Sequence, residues 1–408
     1  MPLKGIRVIE WTVFLQGPVA CQILGSLGAE VIKVEEPGKG DPMRGSKKQH
    51  GVSQVLPDGS SAHFVCQNRN KKGIAVDLKK PQGRDIIYQL VEKADVFVQN
   101  QRKGVAEKLG LDYGALSRVN PKIIYGEGSG FGSKGSDSEL PVLDTLAQAR
   151  AGMLLYGAES DTAAEPAPVE PVGTLADDAG AVALAFGIVA ALLARERLGI
   201  GQKVESSLLG SAMGVIRQQI AGYYTTGIIM PRRKREEAAN PIYNGYRCKD
   251  GRWLRLAFVQ SDRYWSEFCK AVDMPELEQN PKFSDSSKRE ENREELISIL
   301  DRIFSTATYE EWDRRFRDSA LLLYGPVRSI PNLDHDPQVI ENRYLVDFDD
   351  PVLGVTKVPG LPFDFSETPW AVRQSAPQLG QHTEEVLLEV LGYSWEQIAE
   401  LKEEGVIG

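Results

Sequence analysis

Two adjacent aspartates, Asp177 and Asp178, stand immediately before a run of sixteen residues, 179–194, that carries no charge. The run predicts a helix that is built to be buried, and an aspartate at its start can cap the unpaired N–H groups of the first turn. One cap needs one aspartate, so the other is free to face a cleft. An ionised carboxylate beside backbone N–H groups could act as a nucleophile. Gly180 would let a substrate approach closely.

The other reactive side chains form no recognisable constellation. The cysteines are scattered without a CxxC pair, which argues against a disulfide framework or a zinc site and indicates a reducing cytoplasm. None of the four histidines has metal-ligand spacing, so we predict no metal. The segment 126–132, GEGSGFG, lacks the spacing of a phosphate loop and predicts a glycine-rich turn. Only Gly17 lies in the first turn after a strand, which does not support a nicotinamide site.

Composition restricts the class of protein. The chain has 408 residues, of which 42% are hydrophobic and 26% charged, as in an ordinary globular protein. Its formal net charge of −9 argues against a broad nucleic-acid surface. The start has no apolar run of a signal peptide, and the uncharged run 179–194 is short for a bilayer, so we expect no membrane partner.

Strand and helix patterns alternate over the first 130 residues. The apolar run 5–11 predicts a buried strand, and a helix with Pro18 in its first turn and Gly28 beyond its end leads to a strand over 29–35. The pattern repeats with strand 73–78, a helix opened by Pro81, and strand 95–99. This alternation predicts an α/β fold with a Rossmann-like parallel sheet covered by helices.

Changes in composition and in the pattern of helices and strands along the chain predict three segments. Residues 1–222 form the large α/β domain, 223–329 a smaller α+β domain, and 330–408 a return segment whose helices complete the large domain. The charged stretch 230–241 marks the first boundary. Within the small domain we predict a hairpin around Asp250 and amphipathic helices at about 261–272 and 288–305.

Several co-linear segments together resemble the class III CoA-transferases, which include formyl-CoA, carnitine and bile-acid CoA-transferases. The segments are 5–44, "NRNKKGIAVDLKKPQGR" at 68–84, 96–132, 186–213 and "LGQHTEEVLLEVLGYSWEQI" at 379–398. The resemblance covers nearly the whole chain. It implies an interlocked dimer, here a homodimer with a heteromer as the alternative.

The resemblance also implies a nucleophile. Counted back from Gly187, Asp177 has the family's spacing, although Ala181 stands where the family usually has glycine, which leaves Asp178 as the second choice. The implied reaction moves CoA from an acyl-CoA donor to a carboxylic acid acceptor through an anhydride and an aspartyl-CoA thioester. Acyl-CoA is a substrate, and neither a tightly bound cofactor nor a metal is implied.

Residues of the CoA site are implied in the same way. They lie at or just beyond predicted strand ends, where open α/β sheets bind ligands. These residues are Gln16, Lys79, Asn100, Gln101, Arg102 and Lys108. The positively charged side chains of Lys79, Arg102 and Lys108 could bind phosphates.

Two other functions remain open. The 2-methylacyl-CoA racemases are similar but carry a histidine before the aspartate at the position where Leu143 precedes Asp144, and a racemase needs two bases. Leu143 therefore argues against racemisation. The chain could instead be a non-catalytic subunit of a heteromeric transferase; the acidic pair argues against this and Ala181 keeps it open.

Overall fold

The computed structural model describes residues 1–49, 51–156, 167–171, 173–229 and 234–408. The charged stretch 230–241 thus lies partly outside the described residues. The chain divides into two compact units. The first unit contains Met1–Leu155, Val169–Ile229 and Pro337–Gly408, and the second contains residues 156, 167–168 and 234–336 of the described chain.

A six-stranded sheet forms the centre of the first unit. Its strands are β1 (Arg7–Trp11), β2 (Glu30–Glu35), β3 (Lys71–Ala75), β4 (Val96–Gln99), β5 (Ile124–Ser129) and β6 (Gln202–Ser207). They lie in the order β3-β2-β1-β4-β5-β6, and all neighbours are parallel. The predicted Rossmann-like parallel sheet is therefore confirmed. Strand order reverses between β1 and β4, so the carboxyl ends of these two strands border the crevice where such sheets bind ligands.

Helices cover both faces of this sheet, as the apolar strands require. On one face Ile9, Ile32 and Phe97 pack with the helix Pro81–Glu92; on the other, Val8 and Val98 pack with a second set of helices. The longer helices of the unit are Gln16–Ser26, Pro81–Glu92, Tyr113–Val119, Asp144–Arg150, Leu175–Leu198, Leu208–Val215, Arg217–Thr226 and Trp395–Glu403. Its shorter helices are Ala62–Gln67, Val105–Leu109, Met153–Tyr156, Pro337–Glu341 and Thr383–Val386, and Leu345–Asp350 pairs with Gly354–Pro359 as a hairpin.

The helix Leu175–Leu198, called the central helix below, is long and apolar enough to cross a membrane by length and composition alone. Its residues Ala181, Leu184 and Ile188 are nevertheless fully buried in the core of the first unit. A Cβ on Gly187 would lie 2.6 Å from Val204 Cγ1 of β6. This close packing against the sheet makes it a core helix.

The glycines of the segment 126–132 have a different role from the one predicted. Gly126 and Gly128 belong to β5 rather than to a turn. A Cβ on Gly126 would lie 2.8 Å from Ile188 Cδ1 of the central helix. The prediction of a turn over these two residues is therefore wrong: Gly126 lets the central helix approach the sheet, and Gly128 makes room for the side chain of Gln16.

The second unit is a smaller α+β fold with its own core around Leu254, Phe268, Phe304 and Trp312. The strand Trp253–Leu256 lies between Gly245–Arg247 and Tyr324–Val327, antiparallel to both, which confirms the hairpin. Helices follow at Ser261–Ala271, Glu276–Gln279, Ser286–Glu291, Arg293–Phe304 and Tyr309–Asp318. The helix predicted over 288–305 is interrupted at Asn292, whose Nδ2 donates to the carbonyls of Lys282 and Lys288 at 3.2 and 2.9 Å.

Candidate active site

Asp177 is the third residue of the central helix. Its backbone N–H donates to Oδ1 of Asp144, the first residue of the helix Asp144–Arg150, over 2.9 Å. The side chain of Gln148 holds Asp144 in place by donating to its Oδ2, and also donates to the Gly173 carbonyl at 3.2 Å. Asp144 thus accepts a hydrogen bond from the first turn although it lies outside the helix. The Asp177 carboxylate is therefore not needed as a cap.

The expectation that one aspartate of the pair caps this helix is wrong. The helix begins at Leu175, so both aspartates lie inside its first turn, and the residue before it, Thr174, makes no side-chain cap bond. The carboxylate of Asp178 accepts a bond from the Thr174 hydroxyl at 2.9 Å instead. Asp144 takes over the capping role, because its oxygen reaches the N–H of the first turn.

Gln16 lies beside the start of the central helix, near the Asp177 carboxylate. It is the first residue of the helix Gln16–Ser26, and its backbone N–H lowers the pKa of that carboxyl. N–H groups of a first helical turn carry partial positive charge. The Asp177 carboxylate, at the start of the central helix, therefore also lies near the start of the helix Gln16–Ser26.

The side chain of Gln16 is buried between two glycines. Its Nε2 donates to the Ser206 carbonyl at 3.3 Å. A Cβ on Gly180 would lie 2.8 Å from this Nε2, and one on Gly128 would lie 2.5 Å from Oε1. Gly180 was predicted to admit substrate; the structure shows that the space beside it holds Gln16.

Burial and neighbouring charges raise the pKa of Asp177 to about 7. Burial is the largest cause, followed by the carboxylates of Asp144 and Asp178, while the N–H of Gln16 acts in the opposite direction. Burial, together with Asp144, also raises the pKa of Asp178, against the Thr174 hydroxyl. The helix start therefore does not keep Asp177 fully ionised: near neutral pH the carboxyl is a mixture of acid and carboxylate.

Asn100 and Gln101 follow β4 and contact the segment after β1. Asn100 accepts from the N–H of Val13 and donates to its carbonyl, both at 2.8 Å. Gln101 Nε2 donates to the Trp11 carbonyl at 3.2 Å. Together with Gln16 they border the crevice between β1 and β4.

The three cations lie at the surface. Lys79 pairs with Glu36 at 2.7 Å and is 69% exposed at its side chain. Arg102 and Lys108 are exposed, and neither has a carboxylate within ion-pair distance in the described part of the chain. Arg102 and Lys108 are therefore free to meet an anionic ligand, whereas Lys79 would first have to leave Glu36.

Sequence reasoning missed the role of Asp144. It lies 33 residues from Asp177 in the chain, and no local pattern links the two. The described residues contain no group of three or more His, Cys, Asp or Glu that could hold a metal ion.

Fold and site together define an α/β protein with a partly buried carboxyl group of raised pKa beside a parallel sheet. Residues 3–383 match the model of CoA-transferase family III, and the chain belongs to that family. It is 33% identical to the human succinyl-CoA:glutarate CoA-transferase, over all of this chain and 90% of the relative. It is 31% identical to the alpha subunit of the Chloroflexus aurantiacus succinyl-CoA–L-malate CoA-transferase, over 100% and 93%.

A solved structure agrees in fold. The crystal structure of a CAIB/BAIF family protein from Brucella suis superposes with a TM-score of 0.81 at 28% identity, over 96% of this chain and 99% of that one. The relatives support CoA transfer as the general activity of this chain.

Proposed function

We propose that the protein moves CoA from an acyl-CoA to an organic carboxylic acid through covalent intermediates on Asp177. The observation that carries this proposal is the position of Asp177: its backbone N–H is bound by Asp144, and the Gln16 N–H lies near enough to lower the pKa of its carboxyl. Asp178 lacks such a contact, because its carboxylate is bound by Thr174.

The first half of the reaction forms an aspartyl thioester. The Asp177 carboxylate attacks the thioester carbonyl of the donor, and the CoA thiolate leaves as a mixed anhydride forms. The thiolate then attacks the aspartyl carbonyl and releases the donor acid as its carboxylate. During this second attack negative charge develops on the aspartyl oxygen, where the Gln16 N–H can stabilise it.

The second half reverses these steps with the acceptor. Its carboxylate attacks the aspartyl-CoA carbonyl, which gives a new anhydride and free thiolate. The thiolate attacks the acceptor carbonyl, forms the product thioester and restores the Asp177 carboxylate. The energy of the thioester is conserved, so the scheme needs neither ATP nor a tightly bound cofactor. Both intermediates react with water, and the apolar central helix behind Asp177 limits its access.

CoA binding is proposed at the crevice between β1 and β4. Gln16, Asn100 and Gln101 border this crevice. Arg102 and Lys108 supply exposed positive charge for phosphates after β4, and Lys79 does so after β3. Charge-assisted contacts of this kind are the usual means of phosphate recognition.

The relatives' names suggest the first substrates to test. We propose succinyl-CoA as the donor, with glutarate and L-malate as acceptors. The enzyme would act in the cytoplasm as a homodimer. Relatives named as alpha and beta subunits make a heteromer the alternative.

Trapping with hydroxylamine tests the intermediate. Protein incubated with succinyl-CoA and hydroxylamine should acquire a hydroxamate on Asp177, which peptide mass spectrometry detects. Asp177→Asn should lose transfer by several orders of magnitude. Asp178→Asn is the matched control one residue away: it should keep transfer, and its stability should change little because Asp178 caps no N–H group.

Other outcomes would revise the assignment. Label on Asp178, with transfer lost in Asp178→Asn, would reverse the choice of nucleophile. Transfer without label on either aspartate would mean that no aspartyl intermediate forms.

A further inference from the structure

Four charged side chains are completely buried beneath the start of the helix Gln16–Ser26. They are Glu10 of β1, Lys33 of β2, Lys71 of β3 and Asp41, and we call them the buried ion network. Lys33 Nζ lies 3.1 Å from both Glu10 and Asp41, and Lys71 Nζ lies 2.8 Å from Glu10. Two positive and two negative charges balance one another.

Stability alone does not account for this network. Burying ions has a desolvation cost that their attraction often fails to exceed, and apolar residues of similar size usually serve as well. The groups that its hydrogen bonds hold in place therefore indicate its role.

The network holds the loop that connects β1 to the helix Gln16–Ser26. Lys33 Nζ donates to the Thr12 carbonyl at 2.9 Å, and Asp41 Oδ1 accepts from the Phe14 N–H at 3.2 Å. The Thr12 hydroxyl donates to Glu10 at 2.7 Å. Asn100 binds Val13 from the side of β4. Each of the three residues from 12 to 14 is thus tied down by a polar contact.

The loop adopts a backbone conformation that needs such support. Phe14 has φ of 64°, in the left-handed region that a bulky residue rarely adopts. Such strain persists where the surroundings over-determine it, and it often marks functional sites. Lys71 Nζ also donates to the Pro18 carbonyl at 2.8 Å and so fixes the first helical turn. The loop and this turn together fix the position of Gln16, whose side chain packs against Gly180 of the central helix.

We infer that Lys33 and Asp41 are positioning residues for CoA transfer: through Thr12 and Phe14 they hold the Gln16 N–H against the nucleophile Asp177. The inference rests on the proposed function, because it concerns the same carboxylate. It assigns no contact with substrate to either residue.

The test removes the tether while it keeps the buried charge balanced. In the double variant Lys33→Met/Asp41→Leu the bonds from Lys33 to the Thr12 carbonyl and from Phe14 to residue 41 are both lost, and Glu10 keeps Lys71. Asp177 then still faces the carboxylates of Asp144 and Asp178 but has a misplaced Gln16 N–H. The pH midpoint of hydroxamate formation on Asp177 should move to higher pH, and the rate at pH 7 should fall roughly tenfold.

A matched ion pair provides the control. Arg195 and Asp95 pair at 2.9 Å in the same unit, where Asp95 precedes the amino end of β4. Arg195→Met/Asp95→Asn should lower stability without moving the pH midpoint, as expected of a purely structural pair. Thr12→Val, which removes one hydrogen bond and no charge, is the second variant and should shift the midpoint in the same direction.

If the double variant folds and its pH midpoint is unchanged, the inference is overturned. If the double variant does not fold, the pH midpoint of Thr12→Val provides the test, and no shift there overturns the inference. An equal shift in the Arg195/Asp95 control would also overturn it, because the effect would then be unspecific. Wild-type protein that forms neither hydroxamate nor product would instead refute the proposed function on which the inference depends.

Discussion

At the scale of single residues, the raised pKa of the Asp177 carboxyl implies a stability cost. Burial and the charges of Asp144 and Asp178 hold its pKa at about 7 in the folded protein, whereas an aspartate in an unfolded chain titrates at about 3.9. Between these values the folded state binds more protons than the unfolded state. Stability contributed by the neutral acid is therefore lost as pH rises from about 4 to about 7.

Asp177→Asn should consequently stabilise the protein above pH 7, because the amide carries no charge and its oxygen can still accept from Gln16. We expect a gain of roughly 1–2 kcal/mol, below the full value of the pKa shift because the side chain is only partly buried. Near pH 4 the gain should vanish. Thermal unfolding between pH 4 and 8 measures it, with Asp85→Asn on the exposed face of the helix Pro81–Glu92 as control. A gain that does not depend on pH would show that the charge of Asp177 is not its cause.

At the scale of elements, glycines determine how closely the central helix approaches its neighbours. Gly187 and Gly126 let the helix pack on the sheet, while Gly180 and Gly128 make room for the side chain of Gln16. Gly187 and Gly126 therefore allow close packing in the core, whereas Gly180 and Gly128 shape the candidate site. Alanine at Gly180 therefore changes the site more than the fold.

In Gly180→Ala the new methyl group would lie 2.8 Å from Gln16 Nε2 and push that side chain from the Ser206 carbonyl. Displacement of about an ångström at a reacting group can cost up to ~100-fold in rate, so we expect the transfer rate to fall at least tenfold. Stability should change little, because alanine favours the helix and Gln16 can rotate. Initial rates and thermal unfolding are the measurements. Gly214→Ala, whose Cβ would meet nothing within 4 Å, is the control; equal rates in both variants would contradict the prediction.

At the scale of the whole molecule, one face of the first unit is unusually apolar. On the central helix Val182, Phe186 and Leu193, which share one side at helical spacing, are exposed by 55%, 75% and 52%. Exposed apolar patches commonly mark contacts with other chains. This agrees with the homodimer that we propose.

Light scattering should therefore give twice the 45.0 kDa mass of the chain at micromolar concentration. A charge in the patch, Phe186→Asp, should yield monomers, because an unpaired carboxylate would be buried in the interface. Val355→Asp, at a residue of equal exposure on the hairpin Leu345–Asp350 and Gly354–Pro359, should not. A monomeric wild-type protein, or no effect of Phe186→Asp, would contradict the proposed interface.

Local patterns sufficed for much of the fold and for the choice of Asp177 and Asp178 as candidates. Alternating apolar runs and helix signals predicted the parallel sheet, because both faces of each strand must be buried. The uncharged run 179–194 predicted a buried helix for the same reason. The position of two carboxylates at the start of that run is visible in the chain itself.

Contacts between distant segments decided the rest. The start of the central helix at Leu175, the capping role of Asp144 and the raised pKa of Asp177 all depend on groups that are remote in sequence. The roles of the glycines of β5 likewise depend on the central helix and the Gln16 side chain, which pack against them. A pattern in one segment reports its own burial and periodicity, whereas hydrogen bonds and electrostatic fields depend on distances that only the folded chain sets.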